Sequence, residues 1–365
     1  MFLVMPYGFM FLAIMLFGTF FSISSSHWLS IWAGLEINLM GFLPLLVYGG
    51  SLSGTESGIK YFIIQAAGSG MLMMGSLLSY GYSFNWEIMM LQCGVLEKLG
   101  VIMLVSSLLL KLGSFPFYFW LPSVMAGLSW AACLLLATWQ KIAPIFLLSC
   151  IIQPMEMMSM KDVMLVFSVC GGMVGGIGGI NQTQVRSLLA YSSISHIGWM
   201  LFCLLTSELA LKIYFFIYIL VSACLFLALW ALEISLFSQP SSTMSWQNTS
   251  LQLVAMTLLL SLAGMPPMLG FSSKWFALVS GMHACLYISV VILLMSSVIS
   301  LLYYLGLSFS IFFGGSSSLN LNQKHFFQNS YNLNKTSMLL LVLFMVMNFM
   351  GGGVIMSDLY IQNFF

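Results

Sequence analysis

Charged residues are scarce in this sequence. Its 365 residues include 10 Lys and Arg and 9 Asp and Glu, so charged residues make up 5% of the chain. A soluble domain carries roughly 25% charged residues, and this scarcity excludes a soluble globular protein. The net charge of +1 also argues against nucleic acid as a partner, because nucleic-acid binding uses a basic surface.

The sequence also lacks the cysteine patterns that bind metals. Its seven cysteines include no CxxC pair and no cluster with histidine at metal-ligand spacing. We interpret them as small apolar residues that fill the interior. The sequence therefore predicts no zinc, haem or iron–sulfur site, and no cofactor, on this chain.

A cleavable targeting segment is missing as well. Residues 2–21 have neither a basic n-region nor a small-residue cleavage site, and no Arg-rich amphipathic presequence occurs. We interpret this segment as a retained helix. Thirty Met against ten Lys and Arg is a bias that suits an organelle-encoded protein made beside its membrane.

Long apolar runs fill most of the chain, which is 61% hydrophobic with a mean hydropathy of +1.04. A bilayer core about 30 Å thick needs roughly 20 apolar residues per helix, and about eleven runs meet this length. We predict an all-α polytopic membrane protein that forms a single integral membrane domain over residues 1–365, with its longest polar loop at 314–335. The predicted spans are 3–22, 28–49, 60–80, 94–113, 128–152, 163–180, 188–206, 213–234, 250–279, 284–312 and 337–356.

Glycine and proline interrupt two of the long segments. Gly113 and Pro116 break the segment near 94–122, and Gly264 and Pro266 break the segment near 250–279. Opened backbone at membrane depth is tolerated only inside protein or beside water. We predict two discontinuous helices, one in each half, which favours an internal structural repeat.

Four ionisable residues lie inside the apolar runs: Glu36, Lys111, Lys141 and Lys274. A charge in hydrocarbon is costly and usually marks an ion path or a proton relay. A buried lysine suits a relay, because desolvation disfavours its charged form and a nearby carboxylate favours it. The alternative is a structural ion pair that fixes helix register, and the sequence leaves open which lysine meets Glu36.

His196 lies in the middle of a predicted span, in the serine-rich stretch 192–199. Histidine and serine at membrane depth can pass protons along hydrogen-bonded chains. The alternative is a histidine that hydrogen-bonds a neighbouring helix. Both interpretations remain open at this point.

Several short motifs resemble those of one family. They are residues 32–38 (WAGLEIN), 60–69 (KYFIIQAAGS), 111–122 (KLGSFPFYFWLP), 138–144 (TWQKIAP), 192–199 (SSISHIGW) and 264–275 (GMPPMLGFSSKW). Together they are similar to mitochondrial NADH dehydrogenase subunit 2, the antiporter-like family in the membrane arm of respiratory complex I. One departure is Tyr118, where the family usually has His.

The resemblance implies a core membrane subunit of a proton-pumping NADH:ubiquinone oxidoreductase, without redox chemistry of its own. It implies a fold of antiporter-like inverted repeats and a multi-pass location in the mitochondrial inner membrane. The implied partners are other membrane-arm subunits and inner-membrane phospholipids, in an obligate hetero-oligomer whose FMN and iron–sulfur clusters lie on other subunits. By position, the family's charged axis comprises Glu36 and Lys111 as a modulating pair, Lys141 as the central connection and Lys274 on the exit route.

Two other functions fit the same sequence. A free-standing cation/proton antiporter would share the fold, although a Na⁺-selective one would favour more buried carboxylates than Glu36 alone. A membrane scaffold would only pack between neighbours. The scaffold hypothesis predicts that neutralising Lys111 or Lys141 leaves proton pumping intact while the complex still assembles.

Overall fold

The structure is a computed structural model that describes residues 7–48, 51–80, 95–152, 158–232, 246–266, 268–314, 344–346, 348, 349 and 351. Throughout these residues the chain forms helices, short turns and no β-strand. Two compact units divide it, Met1–Gly171 and Gly172–Phe365. The polar loop 314–335 and most of the predicted span 337–356 lie outside the described residues, and the single membrane domain stays a prediction.

The helices follow one another in chain order, starting with those of the first unit. Its helices are α1 (Gly8–Ser24), α2 (Trp28–Val47), α3 (Leu52–Tyr80), α4 (Val95–Leu112), α5 (Trp120–Gly127), α6 (Trp130–Ala137), a 3₁₀ turn (Trp139–Lys141) and α7 (Ile142–Ile152), followed by α8 (Met158–Ile180), which crosses the boundary between the units. The second unit continues with α9 (Val185–Thr206), α10 (Glu208–Leu232), α11 (Trp246–Ala263), α12 (Leu269–His283) and α13 (Tyr287–Gly314).

Seven helical segments of the described part are long and apolar enough to cross a bilayer. They are Trp28–Val47, Leu52–Ser79, Trp130–Ile152, Met160–Ile180, Val185–Thr206, Glu208–Leu232 and Tyr287–Ile311. Helices satisfy their own backbone groups, which is why they can span hydrocarbon. The all-α polytopic membrane fold is thus confirmed, and the count of about eleven spans stays a prediction.

In the first unit, α3 packs between α2 and α4, while α1 packs on α2 and α7. Glycines bring the backbones close where helices cross. A Cβ at Gly18 would lie 2.5 Å from the backbone nitrogen of Asn38, and one at Gly100 would lie 2.5 Å from that of Ser79. The first crossing joins α1 to α2, and the second joins α3 to α4, the helix that carries Lys111.

In the second unit, the almost entirely buried helix α9 packs against α10, α12 and α13. The glycine-rich end of α8 approaches two of these helices closely. A Cβ at Gly175 would lie 2.5 Å from the backbone nitrogen of Ser195, and one at Gly176 would lie 3.1 Å from the carbonyl oxygen of Ser296. Small residues allow such close helix packing in lipid.

One predicted boundary is wrong, and one predicted span contains an interruption. Helix α3 begins at Leu52 instead of residue 60, because its polar first turns carry the exposed pair Lys60–Glu56 on the helix surface at 2.6 Å. The predicted span 128–152 agrees with the membrane-length segment Trp130–Ile152, but within that segment α6 ends at Ala137 and a 3₁₀ turn precedes α7. Pro144 explains this interruption, because a proline cannot bond to the carbonyl four residues earlier and clashes with it.

Candidate functional site

Lys111 lies in the last turn of α4, buried with 8% of its surface exposed. Its stem packs against Gly68 of α3, where a Cβ would lie 3.2 Å from the lysine Cγ. Gln65 of α3 approaches the Lys111 carbonyl oxygen with its Nε2 at 3.4 Å. Helix α3 therefore holds both the backbone and the stem of this lysine.

Glu36 of α2 is the carboxylate that interacts electrostatically with Lys111. No nitrogen–oxygen distance of 4.0 Å or less joins the two groups. The Oε1 atom of Glu36 is buried and finds no hydrogen-bond partner among the described residues. The structure thus places Glu36 and Lys111 at a separation where a proton on one changes the field at the other.

A small cavity lies beside Lys111. It is lined by Leu35, Asn38, Leu39, Tyr61, Gln65, Lys111, Gln140 and Pro144. The cavity has a volume of about 20 Å³, which is room for one water molecule. Amide, phenol and ammonium groups on its wall can all hydrogen-bond a guest of that size.

Two amide side chains on this wall pair with each other. Asn38 donates from Nδ2 to Gln140 Oε1 at 2.7 Å, and Gln140 donates from Nε2 to Asn38 Oδ1 at 3.1 Å. The pair joins α2 to the 3₁₀ turn across 102 positions of the chain. A single sequence carries no signal that identifies such a pair.

Lys141 ends the 3₁₀ turn and is 2% exposed. Its backbone nitrogen is 3.4 Å from the carbonyl oxygen of Thr138, a long hydrogen bond. The helix is therefore open on the N-terminal side of this lysine, so a third helix interruption accompanies a buried charge. Pro144, three positions later, is the signal in the sequence that identifies this break.

The break after α4 closes with a glycine in the left-handed region. Gly113 has φ 69°, and the nitrogens of Gly113 and Ser114 bond to the carbonyls of Leu110 and Leu109, each at 3.2 Å. This is a Schellman cap. Trp120 adds a further bond from Nε1 to the Leu110 carbonyl at 3.1 Å, so the opened backbone has side-chain partners.

Lys274 lies in α12, just beyond the break in the second unit, and is 7% exposed. Its Nζ donates a hydrogen bond of 2.7 Å to the carbonyl oxygen of Ala263, the last residue of α11. Gly264 follows with φ 84°, and the nitrogens of Gly264 and Met265 bond to the Ser261 and Leu260 carbonyls at 3.0 and 3.1 Å.

The two predicted discontinuous helices therefore end alike. Each first half closes with a Schellman cap on a glycine, and a proline follows two or three residues later. They differ in the group that satisfies the opened carbonyl, which is the Trp120 indole in one unit and the Lys274 ammonium in the other. The second break has a further partner, because fully buried Asn348 accepts a 3.1 Å bond from the Leu269 nitrogen, the first of α12.

His196 is buried in α9, where its Nδ1 is 2.9 Å from the hydroxyl oxygen of Tyr214 on α10. This is the contact with a neighbouring helix that the sequence left open. The hydroxyls of Ser192 and Ser195 bond to carbonyls three residues earlier in their own helix, at 2.8 and 2.7 Å. The partner of His196 is a phenol, which sequence reasoning missed.

The candidate site consists of side chains that can bind and release a proton. No group of three or more His, Cys, Asp or Glu side chains that could hold a metal ion occurs in the part of the chain that the structure describes. The three lysines lie at or just beyond helix interruptions, and His196 lies against Tyr214. Glu36 lies within α2 and interacts with Lys111.

Comparison with known proteins identifies the family. The family model described as NADH:quinone oxidoreductase/Mrp antiporter, TM, matches residues 25–300. NADH-ubiquinone oxidoreductase chain 2 of Locusta migratoria is 36% identical over 338 residues, covering 92% of this chain and 93% of the relative. The same chain of Anopheles gambiae is 36% identical over 356 residues, covering 96% and 97%. This chain belongs to the NADH-ubiquinone oxidoreductase chain 2 family.

Solved structures agree with this family. A chain of respiratory complex I from Thermus thermophilus matches with a TM-score of 0.81 and 25% identity, covering 96% of this chain and 80% of that one. A chain of the Mrp complex from Dietzia has a TM-score of 0.75, 20% identity and coverage of 83% and 60%. At that identity the Mrp likeness shows the fold alone, which is the antiporter-like membrane fold predicted from the motifs.

Proposed function

We propose that this chain is a proton-translocating membrane subunit of a respiratory NADH:ubiquinone oxidoreductase, and that it works in an obligate assembly with other membrane-arm subunits. The carrying observation is the placement of Lys111, Lys141 and Lys274, each buried at a helix interruption in a chain of this family. Interrupted helices beside buried charges suit ion sites near the bilayer midplane.

In this proposal the residues have separate tasks. Glu36 modulates the charge of Lys111, with which it interacts. Lys141 is the central connection of the charged axis, Lys274 lies on the exit route, and His196 takes part as a proton carrier oriented by Tyr214. Proton uptake at one group changes the proton affinity of its neighbours, so the sites titrate as a network.

The same proposal covers the surroundings of the chain. We place it in the mitochondrial inner membrane, among phospholipids and without a nucleic-acid partner. The electrons pass from NADH to ubiquinone through FMN and iron–sulfur clusters on other subunits, so the coupled reaction belongs to the whole assembly. The two relatives that match 92% and 96% of this chain are both named NADH-ubiquinone oxidoreductase chain 2, after such an assembly.

A free-standing cation/proton antiporter is the second candidate, because the Mrp complex has a chain of similar fold. A native gel separates the two functions. Membranes are solubilised gently, complexes are resolved, and the chain is located by mass spectrometry beside a stain for NADH oxidation. Co-migration with a very large NADH-oxidising band supports the respiratory subunit. A small band without that activity contradicts it and supports the antiporter.

A further inference from the structure

We propose that Asn38 and Gln140 form a positioning pair for proton transfer in the first unit. Their mutual hydrogen bonds hold the helix that carries Glu36 against the turn that carries Lys141. They also fix the polar wall of the cavity beside Lys111. This role rests on the proposed proton-translocating function and adds two residues to it.

The first argument is the reciprocal geometry. Each amide gives one N–H and takes one with its oxygen, at 2.7 and 3.1 Å. Asn38 is buried, and the pair forms a single bridge between α2 and the 3₁₀ turn. Such a bridge fixes the orientation of both side chains, because losing one partner leaves the buried Asn38 or the half-buried Gln140 without its paired hydrogen bonds.

The second argument is the weakness of the turn itself. The backbone bond from Lys141 to Thr138 is 3.4 Å long, and Pro144 provides no N–H for the Gln140 carbonyl. Short 3₁₀ stretches have poorer hydrogen-bond geometry than α-helix. The side chain of Gln140 therefore supplies hydrogen bonds where those of the helix backbone are interrupted, and it does so next to Lys141.

The third argument is the location of the pair. Asn38 and Gln140 line the same cavity as Lys111 and Gln65, and Asn38 is two residues from Glu36 in α2. Amides neither gain nor lose a proton near neutral pH, so the pair does not carry the proton. The pair instead keeps the cavity wall polar and holds it in a fixed position relative to the groups that carry the proton.

The test uses four variants in the assembled respiratory complex, reconstituted in vesicles. The single variants Asn38→Leu and Gln140→Met replace each amide by an apolar side chain of similar shape. The double variant combines them. The exchanged variant Asn38→Gln/Gln140→Asn keeps both amides and the same number of side-chain atoms. NADH-driven proton pumping, the KM for NADH and assembly on native gels are measured for each.

We expect each single variant to assemble and to lower pumping about three- to tenfold, because the remaining amide, the buried Asn38 or the half-buried Gln140, is left unpaired. The KM for NADH stays unchanged. The double variant pumps no more slowly than the slower single variant, because the effects of two residues in direct contact are not additive. The exchanged variant recovers most of the rate.

Three results overturn the positioning role. They are normal pumping in both single variants, a double variant that multiplies the two losses, and an assembled exchanged variant that stays slow. If the single variants fail to assemble, the exchanged variant decides: normal pumping supports the role, and its failure to assemble makes the pair structural only. Lys141→Ala is measured in parallel, and normal pumping there refutes the proposed function itself, independently of the amides.

Discussion

The ammonium of Lys274 is bonded to the backbone carbonyl of Ala263 at 2.7 Å. The two residues belong to opposite halves of the same interrupted helix, α12 and α11. The C-terminus of a helix attracts a cation because its last carbonyls are unsatisfied. Lys274 therefore satisfies a carbonyl group that the break leaves open. The protonation of Lys274 and the geometry of the break are linked for this reason.

Gly264→Ala tests this link directly. Gly264 has φ 84°, and a Cβ there would lie 2.9 Å from the Nζ and Cδ atoms of Lys274. The left-handed region costs a non-glycine residue about 1–2 kcal/mol, and the methyl group displaces the lysine. We expect coupled turnover to fall about tenfold, which equals 1.4 kcal/mol. Turnover is measured as NADH-driven pumping by the assembled complex.

The matched control is Gly70→Ala on α3, where a Cβ would meet nothing within 4 Å. It should assemble and pump normally. Equal activity of the Gly264 and Gly70 variants would contradict the role assigned to the Lys274 contact.

Trp120→Phe should destabilise the break in the first unit. The substitution removes the indole N–H that bonds to the Leu110 carbonyl at 3.1 Å. A buried acceptor left without its partner costs about 1–3 kcal/mol. We expect a lower midpoint of thermal unfolding for the detergent-solubilised complex.

Trp275→Phe is its control, since the Trp275 indole nitrogen is buried without a hydrogen-bond partner among the described residues. Both variants lose the same atoms. A larger loss of stability in the Trp275 variant would show that packing, not the Leu110 hydrogen bond, determines the result.

Tyr214→Phe tests whether the phenol orients His196. It removes the group 2.9 Å from the imidazole Nδ1 and leaves the ring in place. We expect a fall of about two- to tenfold in pumping, the effect of about 1 kcal/mol of lost hydrogen bonding, and a larger fall in His196→Ala. Tyr48→Phe, at an exposed tyrosine, should change nothing. Normal pumping in His196→Ala would remove histidine from the relay.

Asn348→Leu should loosen the start of α12. Its side-chain oxygen accepts the 3.1 Å bond from the first nitrogen of that helix, and losing such a cap costs about 0.5–2 kcal/mol. We expect faster hydrogen exchange at the start of α12. Ser297→Ala, at an exposed serine that bonds within its own helix at 2.8 Å, is the control. Unchanged exchange in the Asn348 variant would exclude the capping role.

Much of this site could be predicted from the sequence. Lys111, Lys141 and Lys274 stand out because a charge within an apolar run is costly. Gly113 and Gly264 stand out because glycine followed by proline ends a helix. Periodicity and composition therefore locate the buried charges and two of the breaks, since both signals are local in the chain.

The contacts of those charges could not be predicted. Glu36 and Lys111 lie in different helices, and one sequence gives no measure of which helices touch. The Asn38–Gln140 pair spans 102 positions, and Asn348 is a lone polar residue in the apolar run 338–350. The break before Lys141 had a local signal in Pro144, whose missing N–H opens the preceding turn.

The most direct test of the account is proton pumping by the assembled complex with Lys141→Ala. Lys212→Ala is the control, because Lys212 is exposed and pairs with Glu208 on the helix surface at 3.0 Å. The account predicts that the Lys141 variant assembles at normal size but loses NADH-driven pumping, while the Lys212 variant pumps normally. Normal pumping by the assembled Lys141 variant would contradict the relay and support a scaffold.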